Sequence, residues 1–593
     1  MEHVSNALAS DNATRSRYNV LLQVVAGLGG LLYGVDVGII GGALPYLEAT
    51  SGLDASQLAT IVAAVLLGSV LSTIFAGLLA DWLGRKPLML FSGAIFVISI
   101  PVIALSHGYA PLFFGRLLQG ASGGFIGVVV PLYLAECLSS ASRGKGTGMF
   151  QWLLTFGIVS AAIIGMYYSY RVEAVVHTHQ SAAIFAMKDS AWRRIFWISL
   201  PPGLLFTIGA LFVSESPRWL YTRGRHEQAR TALLRSRTSD NAAVEFAEMA
   251  QVAERSAGRQ ARGSLLQRKY VLPFVLACLI LCCNTATGVN SLIGYNTEIL
   301  VQGGLSDLSA HWGYVLFTAI NFLMTIAGML LVDRKGRRFL LLLGTSGLVV
   351  SMLLAGVISR QTEKHIVDAR AAVQSMVTSD QQLTLNFNPA EAERLFRSVG
   401  EQDASIAAQH AALVVIYSYG GFTGETAYFR SDAVGMQPLH ITRADALPSN
   451  RVEAFFRNPL ANLAVARSAP LTIERARLGP VPDPRRGLEL ELALFAFIAF
   501  FALGPGVCVW LALSELMPTR IRSVGMSIAL VINQFVSTLV ALVFLPMVSK
   551  YGYSRIFTIF AATALIYFVS VALLLPETKG KTLEEVEQAF EAS

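Results

Sequence analysis

The loop Asp81-Trp82-Leu83-Gly84-Arg85-Lys86 lies between two apolar segments of the chain. Nearly the same signature recurs 252 positions later as Asp333-Arg334-Lys335-Gly336-Arg337-Arg338, again between apolar segments. Repeated units decide an architecture before any single residue does. The two loops therefore predict a duplicated unit, and duplicated halves are typical of secondary transporters.

Two further repeats lie at different spacings. Glu136 with Arg143 recurs as Glu515 with Arg522 after 379 positions, and the Glu of Glu215-Ser-Pro-Arg recurs at Glu577 after 362 positions. The jump from the spacing of the first loops predicts an insertion of roughly 110–130 residues in the second half.

The composition places the chain in a membrane. Of its 593 residues, 54% are hydrophobic and only 14% are charged, and the mean hydropathy is +0.54, whereas soluble chains carry about 25% charged residues. The net charge of +7 sits in short loops without a basic stripe, which excludes a nucleic-acid partner. The five cysteines lack metal-ligand spacing and no nucleophile–base pattern occurs, so we expect neither a metal or other cofactor nor an enzyme.

Twelve apolar stretches are long enough to span a bilayer, which takes about 20 residues. They are 20–44, 56–80, 87–106, 111–135, 145–168, 194–213, 271–300, 311–332, 338–359, 488–513, 523–548 and 553–575. Lys and Arg concentrate in alternate loops, and the positive-inside rule then places both termini in the cytoplasm. The single sequon, Asn12-Ala-Thr14, falls in the cytoplasmic tail and the outer insert has none, which favours a bacterial inner membrane.

The insertion corresponds to residues 360–487, on the outer face between spans 9 and 10. Residues 367–373 and 390–396 have helical patterns, 413–419 followed by Gly420-Gly421 predicts a strand and turn, and 470–484 predicts an extended linker. No cysteine is present to form a disulfide within it. A small folded cap and a largely mobile loop are the two interpretations.

One acidic residue, Asp36, lies inside the first apolar stretch. A carboxylate there costs on the order of 2.5–3.5 kcal/mol, so it needs a partner, a proton or a function. Arg116 in the fourth span is the nearest candidate partner in helix order. Burial favours the neutral acid and a close guanidinium favours the carboxylate, so a balanced group can bind a proton outside and release it inside. Proton coupling, a static ion pair and direct solute contact are the three hypotheses.

Polar side chains near mid-membrane predict a solute site. Amides donate and accept hydrogen bonds simultaneously, which suits vicinal hydroxyls, and aromatic rings supply flat apolar faces. Helix–helix hydrogen bonding is the alternative for any single residue. Together they favour a polar, uncharged ligand, and the candidates are Gln151, Asn284, Thr285, Asn290, Tyr295, Asn321, Trp510 and Asn533.

The charged loops predict a network at the cytoplasmic face. An Asp at one helix end can meet the positive N-terminus of the next helix, while Arg and Lys can pair with Glu136 or Glu515. Such a network would close an inner gate. Its candidates are Asp81, Arg85, Lys86, Glu136, Arg143, Glu215, Arg218, Asp333, Arg337, Arg338, Glu515, Arg522 and Glu577.

These motifs resemble the sugar porter family of the major facilitator superfamily. They are Gly77-x3-Asp81-x2-Gly84-Arg85-Lys86, Gly115-Arg116-x3-Gly120, Pro131 to Glu136 with Arg143-Gly144, Glu215 to Arg218, Asp333 to Arg338, and Pro576 to Gly580. The resemblance implies an all-α membrane protein with twelve helices in two six-helix bundles, a central sugar site and alternating access. The 360–487 insert has no counterpart in it.

The resemblance also implies domains and roles. The expected domains are a tail (1–19), an N-terminal bundle (20–213), a cytoplasmic helical linker (214–270), helices 7–9 (271–359), the insert (360–487), helices 10–12 (488–575) and a tail (576–593). Asp36 lies where proton-coupled members carry Asp and uniporters typically carry Asn, and Arg116 matches its partner. Residues that match sugar-contacting positions of the family are Gln151, Asn290, Asn321 and Trp510.

The chain departs from the family in the solute-contacting half. Where the family has Gln-Gln, this chain has Asn284-Thr285, and in place of the family's Tyr-Tyr it has Gly294-Tyr295. Residues Gly506 to Trp510 replace the family's Gly-Pro-x-Pro-Trp, and Asn533-Gln534 replaces its Asn-Trp. The solute therefore stays open among sugars, polyols and cyclitols. We expect a monomeric proton-coupled importer, with a uniporter, an exporter or a membrane nutrient sensor as alternatives.

Overall fold

The computed structural model describes residues 2–138, 140–176, 180–258, 268–400, 410–426, 428–432, 438–448, 454, 461–517 and 522–576. Within them twelve helices are long and apolar enough to cross a membrane, which confirms the predicted helical membrane fold. Spans 1–6 are Arg15–Ser51, Gln57–Leu83, Arg85–Ala104, Tyr109–Leu134, Met149–Val176 and Ser181–Phe212. Spans 7–12 are Val271–Gly294, Asp307–Val332, Arg337–Glu363, Pro484–Val509, Ile528–Tyr551 and Tyr553–Leu574.

Two spans of the second half are interrupted. Span 7 consists of helices Arg268–Ala286 and Val289–Gly294, separated at Gly288, and a further helix, Asn296–Gln302, follows it. Gly288 has a φ of +84°, a conformation that glycine adopts without strain. Span 10 is divided into Pro484–Leu503 and Pro505–Leu516. Because a proline N–H is missing there, the helix breaks at Pro505 although it lacks the family's later prolines.

Span 1 packs against span 5 through a row of glycines. A Cβ atom on Gly34 would lie 1.8 Å from the carbonyl oxygen of Leu154, and one on Gly30 would lie 2.2 Å from that of Phe150. Small residues spaced by four let two helix backbones approach closely. The glycine row therefore fixes the position of Asp36, which lies on the same helix, within the N-terminal half.

Three short helices, Pro217–Thr222, His226–Ser236 and Ser239–Gly258, join the halves. They pack at one end of the spans, beside the last turn of span 2, where Trp219 Nε1 donates a hydrogen bond of 2.7 Å to the carbonyl oxygen of Asp81. We call this end the linker end.

The described part of the insert contains seven strands and its own buried core. The strands are β1 Val367–Asp368, β2 Leu383–Leu385, β3 Ala411–Tyr419, β4 Phe422–Glu425, β5 Phe429–Arg430, β6 Leu439–Ile441 and β7 Leu471–Pro480. One antiparallel sheet has the order β1-β7-β3-β4, with β5 also on β3, and β2 pairs with β6. Helices Arg370–Gln374, Pro389–Ser398, Arg443–Ala446 and Leu463–Ser468 accompany the strands.

Two local patterns shape the sheet. The β-branched run 414–416 favours β3, and Gly420-Gly421 forms the two-residue turn before β4, with Tyr419 opposite Phe422. The interpretation of 470–484 as a linker was wrong, because residues 471–480 form β7, a central strand whose inward side chains enter the core of the insert.

The insert lies at the opposite end of the spans, which we call the insert end. Arg477 of β7 donates to the carbonyl oxygens of Val548 and Ser549 at 3.0 and 2.9 Å, and Arg475 donates to that of Lys550. These carbonyls end span 11, where a helix leaves its last acceptors unpaired and its dipole favours a cation. Two arginines of β7 therefore attach the insert to the spans.

The buried apolar residues are distributed differently at the two ends. At the linker end, one cluster contains residues 22–213 only and another contains residues 276–575 only. At the insert end, a single cluster combines residues of both halves, including Ile39, Leu44, Leu292 and Phe544. Among the described residues, the buried apolar clusters of the two halves are therefore shared at the insert end and separate at the linker end.

Candidate transport site

Asp36 and Arg116 lie together between spans 1 and 4. Arg116 Nη1 is 3.6 Å from Asp36 Oδ1, and each side chain is only 1% exposed. The same Nη1 donates a hydrogen bond of 2.6 Å to Gln119, and the guanidinium lies over the ring of Phe196. Both carboxylate oxygens of Asp36 accept no hydrogen bond from the described residues. Asp36 can therefore gain or lose a proton without breaking a hydrogen bond.

Tyr33 connects this pair to the second half. Its ring and the Asp36 carboxylate both pack against Gly123 of span 4, where an added Cβ would lie 3.1 and 3.2 Å from them. The Tyr33 hydroxyl accepts a hydrogen bond of 3.3 Å from Gln534 of span 11. A contact between the halves thus begins one helical turn from Asp36.

Five of the predicted solute residues lie in span 7, directly after it or in span 11. Asn290 Nδ2 donates to Ser537 at 2.6 Å, Thr285 Oγ1 lies 3.4 Å from the carbonyl oxygen of Asn533, and Tyr295 donates to a span 11 carbonyl at 3.3 Å. The side-chain oxygens of Asn284 and Asn533 are buried and accept no hydrogen bond within the described residues. Unsatisfied amides of this kind can receive hydroxyl donors of a solute.

The other predicted solute residues lie elsewhere. Gln151 is half-buried in span 5 and Asn321 is 7% exposed in span 8, two spans that pack against each other. In the described contacts neither side chain joins the surface between spans 7 and 11. The side chain of Trp510 lies outside the described residues.

The first copy of the predicted charge network is assembled at the linker end. Arg85 Nη2 donates to Glu136 at 2.9 Å and Arg85 Nη1 lies 3.1 Å from Asp81. Glu215 accepts the backbone N–H groups of Arg85 and Lys86, at the N-terminus of span 3, at 3.1 and 3.2 Å. Burial raises the pKa of Glu215, although backbone N–H groups and the Arg85 charge act in the opposite direction. The carboxylate therefore caps a helix N-terminus.

Two contacts to backbone carbonyl oxygens occur in both copies of the charged loop. Arg85 and Arg337 each donate to the carbonyl oxygen five residues earlier, at 2.9 and 3.5 Å. Lys86 and Arg338 each donate to a carbonyl near the end of the last span of their own half, at 2.8 and 2.6 Å. All of these contacts join parts of the same half, so each copy fastens its own helices.

The remaining members of the predicted network are less informative. Arg218 is exposed and does not take part in the contacts above. The side chains of Arg143, Asp333, Glu515 and Arg522 and the whole of Glu577 lie outside the described residues.

At the insert end, hydrogen bonds run between the halves. Asp307 Oδ2, at the start of span 8, accepts the hydroxyl groups of Tyr46 and Ser169 at 2.9 and 2.8 Å. The Tyr314 hydroxyl donates to the carbonyl oxygen of Gly38 at 2.7 Å. The insert end is therefore closed by polar contacts as well as by the shared apolar cluster.

Two ranges of the chain, 22–379 and 490–590, match the family described as "Sugar (and other) transporter". The chain belongs to this family. It is a transporter, not an enzyme, of the sugar porter family of the major facilitator superfamily. The unmatched stretch between the two ranges, 380–489, covers most of the insert.

Individual relatives of this sugar porter are remote. It is 26% identical over 581 residues to the "Proton myo-inositol cotransporter" of Homo sapiens, covering 96% of this chain and 82% of that one. It is 24% identical to the "Glucose transporter GlcP" of Staphylococcus epidermidis over 571 residues, covering 96% of each. The structure of the proton:xylose symporter XylE bound to 6-bromo-6-deoxy-D-glucose superposes with a TM-score of 0.62 at 20% identity, covering 97% and 100%, and shows the shared fold.

Several residues of this sugar porter that contact the Asp36 and Arg116 pair or join the halves were absent from the predicted site. Gln119 lies one turn after Arg116 and Tyr33 one turn before Asp36, so the three- or four-residue spacing of helix neighbours could have found both. Tyr46, Ser169 and Asp307 carry no such signal, because each is an ordinary polar residue near a helix end.

Proposed function

We propose that this sugar porter is a proton-coupled symporter that imports a sugar or a related polyol or cyclitol by alternating access. The observation that carries the proposal is the buried pair of Asp36 and Arg116, in which the carboxylate accepts no hydrogen bond from the described residues. Carboxylates in that setting are typical of proton relays in transporters. The relative described as a proton myo-inositol cotransporter supports both the coupling ion and a cyclitol as solute.

The solute would bind between the halves. The polar face of spans 7 and 11 offers Asn284, Asn290 and Asn533, and Gln151 and Asn321 would approach from spans 5 and 8 in a different conformation. Tyr33 and Gln534 extend from the Asp36 pair towards this face. A site of amides without a second buried cation suits a neutral polyhydroxylated molecule.

The orientation follows from the distribution of Lys and Arg. We place the linker end in the cytoplasm and the insert outside, in a bacterial inner membrane, with the chain as a monomer. The structure then corresponds to a state closed to the outside. A proton that enters with the membrane potential contributes about 2.3 kcal/mol per 100 mV, roughly a fiftyfold accumulation.

The test is uptake into proteoliposomes across a panel of hexoses, pentoses and cyclitols, with and without an imposed pH gradient. Wild-type protein should accumulate its solute above equilibrium only with the gradient. The variant Asp36→Asn should lose this accumulation completely but keep counterflow exchange, because the alternating movement does not need the proton once the carboxylate is neutral.

A matched control is Glu491→Gln, which neutralises a carboxyl group in span 10. Glu491 is 8% exposed and lies far from Asp36 in the sequence. It should accumulate solute normally. Full accumulation by Asp36→Asn would refute the coupling role, and accumulation that never exceeds equilibrium in the wild type would make the protein a uniporter.

A further inference from the structure

His311, one turn into span 8, is buried between the two halves at the insert end. Its side chain is completely buried, and its ring stacks on that of Tyr46 of span 1 with centroids 5.4 Å apart and an interplanar angle of 10°. The imidazole belongs to the second half of the chain and Tyr46 to the first. Any movement that opens the insert end must separate them.

Both ring nitrogens of His311 face oxygen acceptors. Nδ1 lies 2.9 Å from the carbonyl oxygen of Asp307 and 3.6 Å from its carboxylate, and Nε2 lies 3.2 Å from the carbonyl oxygen of Gly42. A neutral imidazole has one N–H donor and one lone pair, whereas the imidazolium ion has two donors. Only the protonated ring can therefore donate to both oxygens, and a neutral ring would direct a lone pair at one of them.

Titratable and polar groups of several elements surround His311. From its own helix it faces the Asp307 carboxylate, and from span 1 the ring of Tyr46. Two residues of span 5 lie around these neighbours, because Ser169 donates to Asp307 and Glu173 interacts electrostatically with Tyr46. Glu298 of the helix after span 7 and Lys188 of span 6 both interact electrostatically with Asp307. The carboxylate that the imidazole approaches is therefore that of Asp307, and the Tyr46 ring covers one face of the imidazole.

We propose that His311 is a second proton-binding site, which takes up a proton when the insert end closes and releases it when that end opens. The bond from Nε2 to Gly42 exists only while the halves are in contact, so the proton is linked to the conformation. This site is separate from Asp36, and the proposal rests on the alternating movement of the proposed function but not on coupling at Asp36. An acidic outer medium would then hold the transporter closed on that side.

The experiment measures the ratio of closed to open insert ends by the distance between two spin labels. Labels at Ala49→Cys and Ser309→Cys report on exposed positions of spans 1 and 8, in full-length protein whose five native cysteines are replaced. Working in an Asp36→Asn background removes the first proton site. In this background the ratio should fall as pH rises from 5 to 8, by at most tenfold per pH unit for one proton.

His311→Gln should abolish this pH dependence and hold the ratio near its alkaline value. Tyr46→Phe, which loses one hydrogen bond to Asp307, should lower the ratio by the same factor at every pH. His107→Gln, at an exposed histidine of a loop, should leave the dependence of the ratio on pH unchanged. The proposal is overturned if the ratio still depends on pH in His311→Gln. It is also overturned if the ratio does not depend on pH when His311 is present. The label distances do not depend on uptake, so a failure of coupling at Asp36 remains distinguishable.

Discussion

The two ends of the spans are held together in different ways. At the linker end, Arg85, Glu136 and Glu215 connect helices of one half, the second half repeats part of the pattern, and the apolar clusters of the halves are separate. At the insert end, Tyr46 and Asp307 connect one half to the other, and a single apolar cluster contains both.

We call a contact within one half a brace and a contact between the two halves a gate. Contacts within a half move with it as a rigid body, so they can be strong without opposing transport. In the proposed alternating movement, contacts between halves must break in every cycle. Each hydrogen bond contributes only about 0.5–1.5 kcal/mol, or about 1.5–3 kcal/mol where a charged group takes part. The repeated motif thus stabilises each bundle, and the unrepeated contacts set the balance between open and closed states.

The largest expected effect tests the brace at the linker end. Arg85→Ala would leave the largely buried carboxylate of Glu136 with the Ser216 hydroxyl but without its cationic partner, and such a loss typically costs about 3–5 kcal/mol. We expect a strong loss of thermal stability in purified protein, with no change in the ratio of closed to open insert ends. Thermal unfolding followed by intrinsic fluorescence, together with the spin-label distance, measures both.

Lys86→Ala is the matched control for Arg85. Its ammonium group donates to a single carbonyl in an exposed contact, so its removal should cost about 0.5–1.5 kcal/mol. A shift of the insert end in Arg85→Ala, without loss of stability, would contradict the description of this cluster as a brace within one half.

Two glycines of span 1 give an intermediate and more discriminating test. A Cβ on Gly34 would meet the backbone of span 5 in the same half at 1.8 Å, whereas one on Gly41 would meet the Tyr314 ring of the other half at 2.6 Å. Overpacking costs about 1–3 kcal/mol. Gly34→Ala should therefore lower the melting temperature, and Gly41→Ala should shift the insert end towards open by tenfold or more while the bundles stay folded.

The same two measurements separate these variants. If Gly41→Ala lowered thermal stability as much as Gly34→Ala and left the label distance unchanged, the insert end would belong to the rigid framework. The comparison between braces and gates would then fail at its central point.

The sequence predicts the spans and the buried pair of Asp36 and Arg116 well, for identifiable reasons. Long apolar stretches bounded by charged loops leave few alternatives to a membrane helix. Asp36 stands out because a carboxylate inside a span is costly, and Arg116 was the nearest basic residue in helix order. Both signals are strong because the bilayer penalises exceptions.

The insert and the insert end were harder to predict. Along β7 the alternation of buried residues is broken at Glu474 and Arg475, opposite a register shift between Ile416 and Tyr417 of β3. An extra residue of this kind hides the two-residue period of a strand. The sequence does not distinguish His311 and Asp307 from other polar residues, because their contacts are with the other half of the chain and no local pattern encodes such contacts.

The smallest expected effect concerns the insert, which carries a buried carboxyl group at the end of β4. Glu425 is 8% exposed, and burial raises its pKa to about 8, while Ser549 and Arg477 act in the opposite direction. A carboxyl group whose pKa is raised by folding stabilises the fold at low pH, and this contribution is lost as pH rises through the folded value of about 8. At pH 6 the side chain is therefore mostly neutral.

Glu425→Gln should keep the folded structure of the insert at pH 6, because an amide replaces a neutral acid of the same shape. At pH 9 the wild-type insert should exchange its backbone amide hydrogens in β3 and β4 faster than at pH 6, after correction for the intrinsic rate, and the variant should not. Asp380→Asn, at an exposed position of the same domain, serves as the control. Equal pH dependence of the exchange rates in wild type and Glu425→Gln would mean that this carboxyl group is already ionised in the folded insert at pH 6. The packing of the insert against span 11 would then depend on the two β7 arginines and not on a neutral acid.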